Sequence, residues 1–445
     1  ASDVYKRQCH NRLIGFHVGR STVSTRYRWT VLVMLTLVYT FNFIDRQILV
    51  ILQEPIKADL GLSDAQLGLL TGFSFALVYV TAGIPIAWLA DRSNRRNIVA
   101  ASLAFWSFMT AISGLVQNFG QLLAARLGVG VGEAGGSPPS HSMISDYFPP
   151  SSRGTALSFY SMGIYIGVLF GFAAGGWIAE NFGWRNAFFV IGIPGILYAF
   201  AVLWVVKEPK RGQFDVGGTS SKSSLSETMD CLRGRPTFWW ISIGCAFTAF
   251  VSYGNGNFMP SFLMRNHGLS LAEVGAILGL ISGLSGAAGT LLGGFLADRL
   301  GVRDIRWYVW IPMLGGLTAM IPAYYTLLGE NTTLIIAAMI PSQILGALYL
   351  GPCIATCHNL VSPGMRAMAS AILYFVLNII GLGLGPLTVG ILSDAFASIY
   401  GDNNLRYAMA VTRTISLVGV FFLWMGARSL KQDLETNRQA LACAE

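Results

Sequence analysis

Apolar residues in this chain run in long continuous stretches separated by short polar joints, with no two-residue alternation. Twelve stretches are long enough to cross a bilayer, which takes about 20 residues at about 1.5 Å of rise each. They cover 29–52, 66–90, 97–117, 121–147, 153–179, 185–207, 237–264, 271–298, 306–328, 331–359, 366–396 and 405–429. Continuous runs predict helices; barrel strands would alternate between lipid-facing and lumen-facing residues. Pro341, Pro352 and Pro386 interrupt the tenth and eleventh runs, which membrane helices tolerate where neighbours satisfy the freed carbonyls.

One long polar stretch, 208–236, separates six runs from six. The expected organisation is a cytoplasmic tail 1–28, a six-helix bundle 29–207, a cytoplasmic linker 208–236, a second six-helix bundle 237–429 and a cytoplasmic tail 430–445. A repeat crosses the linker. Gly61-Leu-Ser-Asp-Ala-Gln-Leu-Gly returns as Gly268-Leu-Ser-Leu-Ala-Glu-Val-Gly, and Leu89-Ala-Asp-Arg92 returns as Leu296-Ala-Asp-Arg299, both 207 residues on. Pro139 and Arg153 match Pro352 and Arg366 at 213. The fold class expected is an all-α membrane protein, twelve transmembrane helices in two pseudo-symmetric six-helix bundles. Parallel halves related by an axis along the membrane normal are an architecture of alternating-access transporters, with the substrate near the midplane between them.

Composition agrees with a membrane protein: 53% of residues are hydrophobic and 12% charged, against about 25% charged in soluble domains. The net charge of +8 would suit a nucleic-acid partner until the charges are placed. With twelve spans both termini share a side. The loops on that side hold Arg92, Arg95, Arg96, Arg153, Lys207, Lys210, Arg211, Lys222, Arg233, Arg235, Arg299, Arg303, Arg306 and Arg366. The opposite loops hold Lys57, Arg185, Arg265 and Arg406. Fourteen against four sets both termini in the cytoplasm of a cell (inner) membrane, and no nucleic-acid partner is needed to explain the charge. No cleavable leader is expected. Of the six cysteines, none has metal or disulfide spacing; Cys353 and Cys357, one turn apart, read as small apolar helix residues. No nucleotide loop, metal set or nucleophile–base pair is present, which argues against an enzyme, a cofactor and an ATP-driven pump.

Charges inside the runs point to the chemistry. Arg126 and Glu133 lie in the fourth run, two helical turns and about 10 Å apart on one face, and each needs a partner from elsewhere. Asp45 and Arg46 lie in the first, pointing about 100° apart. A charge at mid-membrane costs about 2.5–3.5 kcal/mol. The alternative to function is an ion-pair network holding the first and fourth helices together. His141, His358 and Arg413 read more readily as structural residues than as proton or substrate groups.

Gly83-Ile-Pro-Ile-Ala-Trp-Leu-Ala-Asp91-Arg92-Ser-Asn-Arg95-Arg96 resembles the loop signature of the major facilitator superfamily, and Arg126-Leu-Gly-Val-Gly130-Val-Gly132 its fourth-helix signature. Gly163, Gly167, Gly171, Gly175 and Gly176 are similar to the glycine ladder of its antiporters, without their Gly-Pro. Phe43-Ile-Asp45-Arg46, Ala90-Asp91-Arg92-Ser-Asn94-Arg95 and Gly130-Val-Gly-Glu133-Ala resemble the spinster family, with Ser145-Asp146-Tyr147-Phe148 after them. That resemblance implies proton-coupled movement of lipids with a charged head, by a monomer in the bilayer.

The expected substrate residues are Arg46, Arg126, Glu133, Tyr253 and Asn255, with Asp45 and Glu133 carrying the proton. A buried carboxylate stays ionised beside an arginine and takes a proton when an anionic head group claims that arginine. At the repeat offset Asp45 and Arg46 fall on Ser252 and Tyr253, so the second half offers a weakly polar wall. Phe247, Phe250, Phe258, Phe262 and Phe375 are available there for a lipid tail. Asp91, Arg92, Arg95, Arg96 and Arg153, with Asp298 and Arg366 in the repeat, are expected to latch the cytoplasmic side when the other side opens. The competing readings are a transporter of drugs or small organic anions, and a receptor or scaffold that moves nothing.

Overall fold

The computed structural model describes residues 24–212, 214 and 225–442; Lys222, Cys9, Cys443, most of the expected N-terminal tail and the last three residues lie outside them. Every regular element among the described residues is helical. Eight segments are long and apolar enough to cross a membrane: Thr25–Ile51, Asp64–Ala90, Ser152–Phe182, Trp184–Val205, Leu271–Gly301, Trp307–Leu328, Thr332–Asn359 and Met368–Asn437. The expected runs 97–117, 121–147 and 237–264 are helical as well, in Arg95–Ser113, Phe119–Glu133 with Ser137–Tyr147, and Pro236–His267.

The repeated Gly-Leu-Ser motif is a device for starting helices. Gly61 (φ 63°) and Gly268 (φ 64°) end the preceding helix in the left-handed region, which glycine enters without steric penalty. Ser63 with Gln66, and Ser270 with Glu273, then form two capping boxes, each worth about 1 kcal/mol.

The fourth run is not one helix. Phe119–Glu133 stops at Glu133, and Ser137–Tyr147 resumes after Ala134, Gly135 and Gly136. Two glycines followed by Pro138 and Pro139 leave too few backbone donors and too much freedom to carry the helix through. The tenth run breaks likewise, between Thr332–Gly346 and Leu350–Asn359. Glu133 and Gly346, the last residues before the two breaks, are 213 apart, the offset of the proline–arginine repeat.

Helix Thr25–Ile51 packs along Pro150–Phe182 through the glycine ladder. A Cβ on Gly163 would sit 2.7 Å from the Thr36 carbonyl, and one on Gly167 2.6 Å from that of Thr40. Small residues let membrane helices approach this closely. The three cysteines Cys245, Cys353 and Cys357 are fully buried in one apolar cluster.

The two sequence halves are joined at one end of the molecule. Arg265 donates to both Glu54 (2.6 Å) and Asp64 (2.7 Å). Asp64, fully buried, also takes Lys57 (2.6 Å) and the Ser393 hydroxyl (2.6 Å). Gly72 lies so near the backbone of Gly383 that a Cβ would be 2.8 Å from its carbonyl. Among the described residues, the ion pairs linking the halves are all in this cluster. At the opposite end Arg95 pairs with Asp146 (2.5 Å) of the first half and with Glu208 (2.7 Å), the first residue of the linker. The last helix continues to Ala442, held by Asp433, which accepts from the Thr237 N–H at 2.9 Å.

Candidate functional site

Arg46 and Glu133 come together. Arg46 Nε donates to Glu133 Oε2 at 2.7 Å, with Glu133 at 0% and Arg46 at 18% side-chain exposure. The break after Glu133 places its carboxylate at the end of a half-helix, where discontinuous membrane helices present ligand groups. The guanidinium sits over three rings, Phe43 (5.1 Å), Phe75 (4.8 Å) and Tyr79 (5.1 Å). This cation–π frame and one hydrogen bond hold a charge that bare hydrocarbon would expel.

Asp45 turns the other way, as the 100° step requires, and lies against Trp106 and Thr110. Its carboxylate is buried, and the Trp106 indole N–H and the Thr110 hydroxyl are the donors that face it. Arg126 is buried, forms no ion pair among the described residues, and reaches the Asp45 carbonyl at 3.5 Å and the Phe75 ring at 5.2 Å. Two carboxylates and two guanidiniums thus share one buried region, with one close ion pair, Arg46–Glu133.

Tyr253 lies on the wall of a cavity of about 350 Å³ between the halves, as do Ser252 and Asn255. Asn255 spends its side chain on helix Asn404–Thr414: it donates to the Met409 carbonyl (3.2 Å) and accepts from Thr412 (2.9 Å). Phe258 and Phe262 are fully buried in the core and Phe250 nearly so; none of the five phenylalanines expected to carry a tail lines the cavity. Its apolar surface comes instead from Ile164, Val168, Phe172, Met259, Leu278 and Ile281. Helical periodicity gives a face, and which face meets the cavity depends on how neighbouring helices pack.

The expected latch residues are scattered. Arg92 lies over Trp88 at 4.2 Å. Arg95 and Arg96 both engage Glu208. Arg153 donates to the Ser145 carbonyl at 2.8 Å. Asp298 accepts from Tyr308 (2.7 Å), and Arg366 is exposed; the two do not pair. The Asp91 side chain lies outside the described residues. His358 bonds Ser370 at 2.6 Å, and His141 meets Tyr160 edge-on at 5.1 Å.

The acidic cluster around Arg265 is the part of the site region that sequence reasoning did not find. A signal was present: Asp64 falls in the repeat where the second copy has Leu271, so one copy carries a charge the helix start does not need.

A sequence profile described as Major Facilitator Superfamily matches residues 35–386. The chain belongs to the major facilitator superfamily. Within that superfamily it is 34% identical to a bacterial homologue of the human lysosomal transporter spinster, solved in an inward-facing and unoccupied conformation. The TM-score is 0.86 over 92% of this chain and 99% of that one. It is 35% identical to an MFS-type efflux pump of Mycolicibacterium smegmatis, over 92% of this chain and 95% of the relative. It is 30% identical to a probable galactarate/D-glucarate transporter of Bacillus subtilis, over 68% of this chain and 72% of the relative. The match makes this chain a multi-pass membrane transporter and not an enzyme.

Proposed function

We propose that this chain is a proton-coupled secondary transporter of an amphiphilic, anionic substrate of lysophospholipid or sphingolipid type. It would work by alternating access, as a monomer of twelve helices in two six-helix bundles, with both termini in the cytoplasm. The end joined by Arg265 is then the outer face, and the described conformation is closed there. The observation that carries the reading is the Arg46–Glu133 pair, a buried carboxylate whose counter-ion keeps 18% of its side chain exposed.

When an anionic head group takes Arg46, Glu133 loses its counter-charge in a low dielectric and binds a proton. Asp45, buried beside Trp106 and Thr110, is the second proton carrier. The mixed cavity wall, with Tyr253 and Asn255 beside Val168, Phe172 and Met259, suits a molecule with a polar and an apolar part. Asp298 and Arg366 are latch partners that pair when the cytoplasmic side closes, with Asp91 and Arg153 as their counterparts. The second reading is a small organic anion, favoured by the hydroxyl and amide groups on the cavity wall and by the sugar-acid name of one relative.

The test is uptake into proteoliposomes under an imposed pH gradient, with oleoyl lysophosphatidylglycerol and galactarate offered separately. Lysolipid uptake that depends on the gradient and is lost in Glu133→Gln supports the reading. Galactarate uptake alone supports the second. Gradient-independent flux of either substrate refutes proton coupling.

A further inference from the structure

The N-terminal charges cancel: Asp45 and Glu133 balance Arg46 and Arg126. The cavity between the halves is different. Among the described residues that line it, one side chain is charged, Arg413. Among the described residues no carboxylate pairs with it; its Nη2 donates to the Ala319 carbonyl at 3.2 Å, and its Nε is buried with no partner. One turn further on, Ser416 lines the same cavity, is 8% exposed, and its hydroxyl has no partner.

Arg413 sits in the last turn of Asn404–Thr414 and bonds the carbonyl of Ala319 on the neighbouring span Trp307–Leu328. An uncompensated guanidinium there is expensive unless a ligand supplies its counter-charge. A side chain free to snorkel to the membrane surface would not face an internal cavity.

We infer that Arg413 and Ser416 form a second oxyanion subsite, on the C-terminal wall of the cavity, for a phosphate or carboxylate of the transported molecule. Thr326, Ser342 and Gln343 line the same cavity and offer further hydrogen bonds. The subsite makes the cavity net positive, so it selects anions over neutral or zwitterionic molecules of the same shape. The inference deepens the transport reading and rests on it for the identity of the cargo. It does not rest on proton coupling.

The test is equilibrium binding to the purified full chain of three probes: oleoyl lysophosphatidylglycerol, monooleoylglycerol with no phosphate, and galactarate as a soluble dicarboxylate. Loss of a charge-assisted bond predicts that Arg413→Gln weakens the anionic lipid about tenfold or more and leaves monooleoylglycerol unchanged. Arg413→Lys recovers part of the loss. Because Arg413→Gln also uncaps Ala319, Ser416→Leu is the second variant. It keeps the arginine, covers its approach, and is expected to show the same selective loss.

Galactarate binding with the same dependence supports the subsite and assigns it to free acids. Equal binding of the anionic and neutral lipids by the parent, unchanged anion affinity in both variants, or no binding of either oxyanion probe overturns it. Gradient-driven uptake that needs Glu133 but ignores Arg413 leaves the transport reading standing without the subsite. Arg413-dependent binding without gradient-driven uptake does the reverse.

Discussion

Asp394 accepts hydrogen bonds from the backbone N–H groups of Asp64 (3.0 Å) and Ala65 (2.8 Å), capping a helix 330 residues earlier in the chain. The mirror contact is made by Glu180, which accepts from the Ala272 N–H at 2.6 Å. Each half thus ends a long helix with a carboxylate that caps the repeated helix start of the other half. Negative charge at a helix N-terminus stabilises by about 0.3–1 kcal/mol, and more when partly buried.

In the proposed alternating-access cycle these caps would break when this face opens. Asp394→Asn and Glu180→Gln are expected to shift the equilibrium towards opening at that face by about 1 kcal/mol each, roughly fivefold in population, and additively because the sites are far apart. Labelling of Ser261→Cys by an impermeant maleimide reads the opening. Unchanged labelling in the double variant would show that the caps do not hold the gate.

Arg265 holds the same face by charge. Arg265→Ala leaves Asp64 buried with Lys57 and Ser393 and unpaired Glu54. Removing one partner of a buried pair costs about 3–5 kcal/mol; the remaining partners lower the expected shift to about 2 kcal/mol. The expected result is a larger labelling increase than either cap variant gives, and a smaller one in 1 M salt than in dilute buffer.

Glycine variants separate gating from folding. Gly72→Val drives a side chain into the Gly383 backbone, across the halves. Gly163→Val drives one into Thr36, within the first half. The first is expected to hold the molecule open at this face with a near-normal melting temperature. The second should lower stability by about 1–3 kcal/mol, as overpacking does, and leave the labelling ratio of the surviving protein unchanged. Thermal melts and maleimide labelling on both variants distinguish the outcomes.

Arg46→Lys keeps the charge and loses the planar group that lies over Phe43, Phe75 and Tyr79 while bonding Glu133. Substrate affinity is expected to fall about tenfold despite the conserved charge. Normal affinity in the lysine variant would show that position 46 supplies only a point charge.

Arg95 is 2% exposed and bonds Asp146 and Ser142 of its own half and Glu208 of the linker, and nothing in the second half. Arg95→Ala is expected to destabilise by about 3 kcal/mol by stranding Asp146, read as a lower melting temperature. An altered opening equilibrium with unchanged stability would instead assign Arg95 to the latch.

Much of this arrangement was legible in order along the chain. Apolar runs without alternation determined helices across a membrane, because backbone groups in lipid must bond within their own segment. The 207-residue repeat located two helix starts, since a left-handed glycine followed by a capping box is a local code. Arg126, Glu133, Asp45 and Arg46 stood out as charges in apolar runs, because the energetic penalty for them depends only on local surroundings. Partnership was decided by tertiary structure. Nothing along the chain pairs Glu133 with Arg46 and leaves Arg126 on a carbonyl, because that choice depends on how the first and fourth helices rotate against each other. The same holds for Phe258 and Phe262, which helix packing turned into the core, and for Arg413, which it turned inward. The Arg265 cluster draws on four separate segments of both halves. Its members are ordinary loop charges in sequence, and become a lock only when the halves close and exclude water around Asp64.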